Sequence, residues 1–372
     1  MAKSEKAVIA FFLSILFTVT LISGLVQNVF SQEKPKQIKL TYALFQPGTA
    51  ALSKKNTEFA KEIEKRTNGR VKITVHQGGS LVSGPAMYQG VSSGIADMGN
   101  AFTLYNPGAF PFTQIVQAPT KGESGWAVSS AMYDFMMKYQ PKEWQKVQLI
   151  TTVGTGADFM MVGTGKKPIR KLEDWKGTSV RPADADIIVA LGGTVKDLPM
   201  SEVYDSIAKG VVDGVTGTLE PLKAWRQADV CKYITVIGAP VQPSIMWFNF
   251  MNKKKWNSLP PDIQKTISEV GKEYSAKLGL TWDDQAVAGI EYAKSLGCSI
   301  YVLPKDEEKR WADAIAPVIE ARLSNVVSKG FSQQEVDDAW NYYKSRLDYW
   351  NGQQAQNNIT PTRVRVEKVL KQ

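Results

Sequence analysis

The sequence predicts an α/β fold large enough for two lobes. Three observations point that way. The chain has 372 residues, more than the ~100–200 of a single domain. Its composition, 43% hydrophobic and 22% charged, is that of a globular protein, not of a disordered or multi-span membrane chain. Its opening segments run β-α-β-α-β, the order that builds a layered sheet.

The elements follow along the chain. Residues 38–44 alternate apolar and polar side chains, the period of a half-buried strand. Gln46-Pro47-Gly48-Thr49 turns the chain. Leu52, Phe59, Ala60 and Ile63 then recur at helical spacing until Asn68-Gly69 stops the helix. A second strand over 70–76 turns at Gly78-Gly79, a helix spans 85–94, and residues 95–99 open a third strand. A second series starts near Gln148, with strands over 148–153 and 159–163 and a short strand that carries Val180-Arg181-Pro182. Helices over 184–191 and 201–210 follow, then strands over 211–215, 234–238 and 245–251, the last rich in aromatics. The remainder reads as helical: one helix from Pro260-Pro261 to about Gly279, another over 281–296, and two more near 305–328 and 332–350. Ser332 and Glu335 form a capping box at the start of the last. Residues 351–372 read as a polar, basic, frayed tail.

Residues 1–31 are a separate object. Lys3 and Lys6 precede an apolar run over 7–26, and Val29-Phe30-Ser31 supplies a signal-peptidase site, so a signal peptide cleaved after Ser31 is expected. The competing reading is an uncleaved anchor, because the run approaches the ~20 residues that span a bilayer. Removing Lys3, Glu5 and Lys6 takes the formal charge from +9 to +8. The basic charges are scattered, and export makes nucleic acid an improbable partner. Cys231 and Cys298 are far apart in sequence. A disulfide is open to them, although two separate buried thiols are the preferred reading.

Catalytic patterns are missing. The single histidine, His76, sits in a strand-like run. No HExxH, CxxC, GxSxG or Walker loop occurs. The pairs Asp184/Asp186 and Asp283/Asp284 read as solvated acids, and no Cys/His cluster suggests a metal or other cofactor.

The sequence resembles the solute-binding proteins of tripartite ATP-independent periplasmic (TRAP) transporters over about residues 38–350. The blocks that carry the resemblance are Lys167-Pro168-Ile169-Arg170, Leu172-Glu173-Asp174-Trp175-Lys176-Gly177, Val180-Arg181, Pro199-Met200-Ser201-Glu202-Val203-Tyr204 and Gly210-Val211-Val212-Asp213-Gly214. Leu259-Pro260-Pro261 and Gly78-Gly79-Ser80-Leu81 also fit. The resemblance implies the two-lobed periplasmic binding protein fold: α/β lobes joined by crossing strands and a long lobe-spanning helix, with a ligand cleft between them. Lobe I is expected over 38–157 plus 244–283, and lobe II over 158–243 plus 284–350. The resemblance further implies a periplasmic protein that delivers a small organic anion to small and large membrane subunits.

It also implies that Arg181 meets the ligand's carboxylate or sulfonate, since a guanidinium stays charged and offers two parallel donors. Many relatives carry a second arginine where this chain has Met160, and an aromatic residue where it has Met200. After Asp213-Gly214 the chain reads Val215-Thr216-Gly217-Thr218-Leu219-Glu220 in place of a Gln-Glu-Asn run. Gly217 and Glu220 therefore join the candidates. Glu220 is read either as an acceptor for a ligand hydroxyl or amine, or as a helix N-terminal acid beside Pro221. From lobe I come Gln46, Gln77, Phe102 and Tyr105, which follow strands where open α/β sheets bind ligands. Trp247 is a further wall. A cleft this apolar suits a short aliphatic or aromatic acid better than a polyhydroxylated one. The rivals are a sensor for a membrane receptor, an ABC-type binding protein, and an enzyme using a carboxylate pair.

Overall fold

The computed structural model describes residues 37–155, 160–238 and 244–372, so the leader read at 1–31 lies outside the described residues. The strands are β1 (Ile38–Ala43), β2 (Val71–His76), β3 (Met98–Phe102), β4 (Val147–Gly154), β5 (Met160–Thr164), β6 (Ser179–Arg181), β7 (Thr194–Val195), β8 (Gly214–Thr218), β9 (Tyr233–Ile237), β10 (Met246–Asn252) and β11 (Ser299–Val302). They form two sheets, ordered β2-β1-β3-β10-β4 and β11-β9-β5-β8-β6-β7.

Both sheets are mixed. In the first, β1 runs parallel to β2 and β3, while β10 is antiparallel to β3 and β4. In the second, β6 is parallel to β7 and β8, β9 is parallel to β11, and β5 is antiparallel to β8 and β9. The exceptions have one cause. β5 and β10 each come directly after a strand of the other sheet among the described elements, so neither follows a local crossover, whereas β11 reaches the second sheet through the long helix that follows β10. The parallel neighbours are joined by helices, as parallel pairs must be. Helix α1 (Ala51–Arg66) links β1 to β2, and α2 (Met87–Ser93) links β2 to β3.

Helix α3 (Gly125–Tyr139) had no expectation from the sequence. It is capped by Ser124, which accepts from the Ala127 N–H, and it buries Trp126, Val128, Ala131, Met132, Phe135 and Met136. With apolar residues on most of its sides it shows little amphipathic period, the signal by which a surface helix is read. In the second sheet the short helices α4 (Ala185–Ala190), α5 (Val203–Ala208) and α6 (Pro221–Ala224) follow β6, β7 and β8. Then come α7 (Lys253–Asn257), α8 (Pro261–Ser295), α9 (Lys305–Ser328), α10 (Gln333–Gln353) and α11 (Thr362–Lys371).

Helix α8 is one 35-residue helix, not the two expected, and at ~1.5 Å per residue it is ~52 Å long. Ile263, Ile267, Tyr274, Leu278 and Trp282 pack in the core of the first sheet, and Ala286, Ile290 and Ala293 in that of the second. Gly279, which reads as a stop, is a crossing point: a Cβ there would lie 2.2 Å from the Gly125 carbonyl oxygen on α3. The glycine lets two helices touch through their backbones, and that contact offsets its poor helix propensity.

Two boundaries also differ from expectation. Residues 333–350, expected in lobe II, belong to α10, whose Val336, Ala339, Tyr343 and Leu347 are buried in the core around β10 and α3. The supposed frayed tail is ordered. Val366 on α11 is buried, and the Thr362 hydroxyl donates to Asp283 at 2.7 Å. Its apolar residues Val366, Val369 and Leu370 keep helical spacing within a basic surround, so composition hid the packed face.

Both cysteines are free thiols, as the preferred reading has it, but Cys298 is only half-buried and the two are neighbours, not separate. The Cys298 thiol donates to the Cys231 carbonyl at 3.3 Å.

Candidate functional site

The strands converge on one cleft. The carboxyl ends of β1, β3, β6 and β8 open onto it, as does the amino end of the antiparallel β10, the place where open α/β sheets hold ligands. Two cavities lie there. The outer one, ≈ 560 Å³, is lined among others by Phe102, Tyr105, Phe110, Arg181, Pro182 and Asp197. The inner one, ≈ 30 Å³, is lined by residues that include Gln46, Arg181, Glu220, Gln227, Trp247 and Trp282. Phe102, Leu104, Arg181, Ala183 and Ile245 line both, so Arg181 stands at the boundary.

Arg181 ends β6 and is only 7% exposed. Its Nε donates to the Leu198 carbonyl at 3.2 Å. Among the described residues no hydrogen-bond acceptor occupies its two terminal nitrogens. Asp197 and Tyr105 act on it through space, and burial is the main influence, pulling the guanidinium below its usual pKa. A buried cation without an ion-pair partner is costly unless something anionic arrives.

The first-sheet side is an aromatic wall. Trp247 stacks on Phe45 (ring centroids 5.6 Å apart) and on Phe102 (4.7 Å), and meets Trp282 of α8 at 5.2 Å. Tyr105 packs on Phe102 at 4.0 Å. Burial pushes the pKa of its phenol up, and the Arg181 charge and the Met200 backbone across the cleft partly oppose that rise.

Gln46 is fixed by a relay of buried amides. Its Nε2 donates to Asn100 Oδ1 (2.8 Å), Asn100 Nδ2 donates to Asn249 Oδ1 (2.7 Å), and Asn249 Nδ2 donates to Asn56 Oδ1 (2.8 Å). The relay leaves Gln46 Oε1 buried and without a partner among the described residues.

Glu220 sits at the N-cap of α6, yet its side chain makes no cap hydrogen bond. Both readings of Glu220 keep support, since it begins the helix and also lines the inner cavity. Burial alone pushes its pKa up to about 8. Gln227 Nε2 donates to the Met200 sulfur at 3.2 Å and leaves its own Oε1 unpartnered.

Of the residues expected from sequence, Arg181, Met200, Gly217, Glu220, Gln46, Phe102 and Trp247 line the inner cavity, and Tyr105 lines the outer one. Gln77 lines neither. It follows β2, the edge strand, where it donates to the Thr57 hydroxyl at 3.2 Å and covers Gly48. Met160 begins β5 opposite Thr218 and Ile237, and its side chain lies outside the described residues. Phe45, Trp225, Gln227 and Trp282 were not anticipated. Phe45, adjoining Gln46 after the first strand, could have been found. Trp282 on a long helix reads as core, and Gln227 carries no sequence signal.

A two-lobed α/β architecture with a buried arginine that lacks an ion-pair partner among the described residues defines a ligand receptor of the periplasmic binding type. The sequence model of the DctP family, bacterial extracellular solute-binding protein family 7, matches residues 46–325, and the chain belongs to this family. A solute-binding protein of Albidiferax ferrireducens is 26% identical over 269 residues, covering 68% of this chain and 76% of that protein. A monocarboxylate 2-oxoacid-binding periplasmic protein of Nostoc is 23% identical, covering 78% and 80%. Among solved structures, a TRAP periplasmic solute-binding protein of Desulfovibrio salexigens superimposes with a TM-score of 0.71 at 29% identity, covering 84% of this chain and 97% of that one. A TRAP solute-binding protein of Rhodoferax ferrireducens in complex with benzoate gives 0.78 at 20% identity, covering 85% and 99%.

Proposed function

We propose that the chain is the extracytoplasmic binding subunit of a TRAP transporter, that it captures a small organic acid by its carboxylate, and that it hands the ligand to small and large membrane subunits. One observation carries the ligand class: Arg181, buried at the meeting point of both cavities, has no acceptor among the described residues for its terminal nitrogens. A bidentate carboxylate supplies two parallel acceptors and the missing charge. The family relationship supports the transporter role. So do the ligands in the names of structural relatives, benzoate in one and mandelate in another.

Capture works by closure. Arg181, Glu220 and Met200 come from the second sheet, while Gln46, Phe102 and Trp247 come from the first. A ligand that touches both groups favours the closed arrangement. Binding, not turnover, suits the acids that might have formed a catalytic pair. Asp184 caps α4 and pairs with Arg322 at 2.7 Å. Asp283 accepts from the Gly125 N–H at 2.7 Å, and Asp284 pairs with Arg365 at 2.6 Å. An exported location fits the leader read at 1–31. No helix among the described residues is long and apolar enough to cross a membrane.

The test is a thermal-shift screen of the purified protein against small carboxylates, repeated on Arg181→Ala. Ligands that bind only the folded state raise its melting temperature. The expected result is stabilisation by one group of acids, with affinity lost by about 100-fold or more in the variant. Undiminished shifts in Arg181→Ala would remove Arg181 from the site.

A further inference from the structure

The inner cavity contains more acceptors than any simple acid can use. Glu220, Gln46 Oε1 and Gln227 Oε1 all belong to side chains that line it, all three residues are buried, and none of these acceptors has a donor among the described residues. The two amides cannot turn their NH2 groups inward without loss. Gln46 Nε2 is engaged by the Asn100–Asn249–Asn56 relay, and Gln227 Nε2 by the Met200 sulfur. Glu220 is not consumed by the helix it begins. Buried acceptors as a rule have partners, so these three call for a ligand that brings donors.

We propose that the inner chamber receives an ammonium group, so that the ligand is an α-amino acid whose carboxylate sits on Arg181. This inference rests on the carboxylate reading of Arg181 and extends it. An ammonium has three N–H donors, one for each acceptor group, whereas a hydroxyl has one and an unsubstituted carbon none. Charge balances as well: the guanidinium meets the carboxylate and the ionised Glu220 meets the ammonium, which leaves no net buried charge.

The sizes agree with this placement. The inner cavity, ≈ 30 Å³, has room for a small polar head and little else, while the outer one, ≈ 560 Å³, accepts a side chain. Arg181 lies where the two meet, so with the carboxylate on it the α-carbon sits at the junction and its other two substituents, ammonium and side chain, can enter one cavity each. The outer lining combines Phe102, Phe110 and Pro182 with Asp186, Asp197 and Arg322, so it can take a side chain with apolar and polar parts. The indole N–H groups of Trp247 and Trp282, also buried and unpartnered, are available to carboxylate lone pairs that Arg181 leaves free.

Calorimetric titration of the purified protein at pH 8 tests this. The probes are the common α-amino acids, each beside its deamino analogue and its α-hydroxy analogue on the same carbon skeleton. At least one amino acid should bind, about ten-fold or more tighter than both analogues. Glu220→Gln should weaken that amino acid about ten-fold or more while leaving the deamino acid within about three-fold. Because Glu220 must ionise to meet an ammonium, wild-type affinity for the amino acid should rise from pH 6 to pH 8, with proton release on binding. Deamino or hydroxy acids that bind as tightly as the amino acids, or an amino-acid affinity indifferent to Glu220→Gln, would overturn the inference and leave Arg181 as a carboxylate site. Should Glu220→Gln fail to fold, the wild-type ranking alone decides. If none of the three series binds, the carboxylate reading falls with it.

Discussion

The two faces of the cleft are built on opposite plans. The first-sheet face is packed and carries no charge before any ligand arrives, its open groups among the described residues being Gln46 Oε1 and the indole N–H groups of Trp247 and Trp282. Phe45, Phe102, Tyr105 and Trp247 pack on one another, and a chain of amides sets the direction of Gln46. The second-sheet face is unsatisfied. Among the described residues, the terminal nitrogens of the buried Arg181 meet no acceptor and the buried Glu220 side chain has no hydrogen bond. The contrast separates two tasks. One face is a preorganised wall that keeps its shape whatever binds. The other holds unmet electrostatic demand, which a ligand alone relieves, so chemical selection resides there.

Breaking the wall should cost stability first. Trp247→Ala removes the ring that three other aromatics contact and should lower unfolding free energy by ~2–4 kcal/mol, measured by denaturant titration. A loss under ~1 kcal/mol would mean that the wall is not the rigid member of the pair. Asn249→Ala interrupts the amide relay and leaves Asn100 and Asn56 without their partner. It should cost ~1–3 kcal/mol and weaken ligand binding as well, because Gln46 loses its fixed direction.

The second face should show itself through pH. Burial raises the Glu220 pKa to about 8 in the folded protein, against ~4.3 in an unfolded chain. Between those values the folded state holds a proton that the unfolded state has lost, so this group's contribution to stability falls as pH rises. Without ligand, the melting temperature of Glu220→Gln relative to wild type should therefore climb from pH 5 to pH 8. A constant difference would mean that Glu220 is not buried as described.

How much of this was legible in the sequence follows the same division. Phe102 could be placed at a crevice because it follows the third strand and Trp247 because its strand is rich in aromatics, whereas Arg181 was placed there by the family resemblance. Glu220 stood out because the run that ends on it departs from the Gln-Glu-Asn run of many relatives. Gln77 also followed a strand, but β2 lies at the edge of its sheet, and strand order is set by pairings that no local pattern encodes. Trp282 and Gln227 reach the site only through the crossing of α8 and the turn after α6, contacts distant in sequence. The reading of 351–372 as frayed failed because basic residues outnumber the few apolar ones that pack on α8. Splitting that helix at Gly279 failed because a glycine that permits close helix contact looks the same in sequence as one that ends a helix.

The central claim is that a carboxylate on Arg181 is what the cleft selects. It is tested most directly by calorimetry of the protein's best acid ligand beside the primary carboxamide of the same molecule, which keeps the shape and removes the charge. The account predicts that the acid binds about 100-fold or more tighter than the amide to the wild type, and that Arg181→Ala abolishes the difference. An amide that binds as tightly as the acid would contradict it.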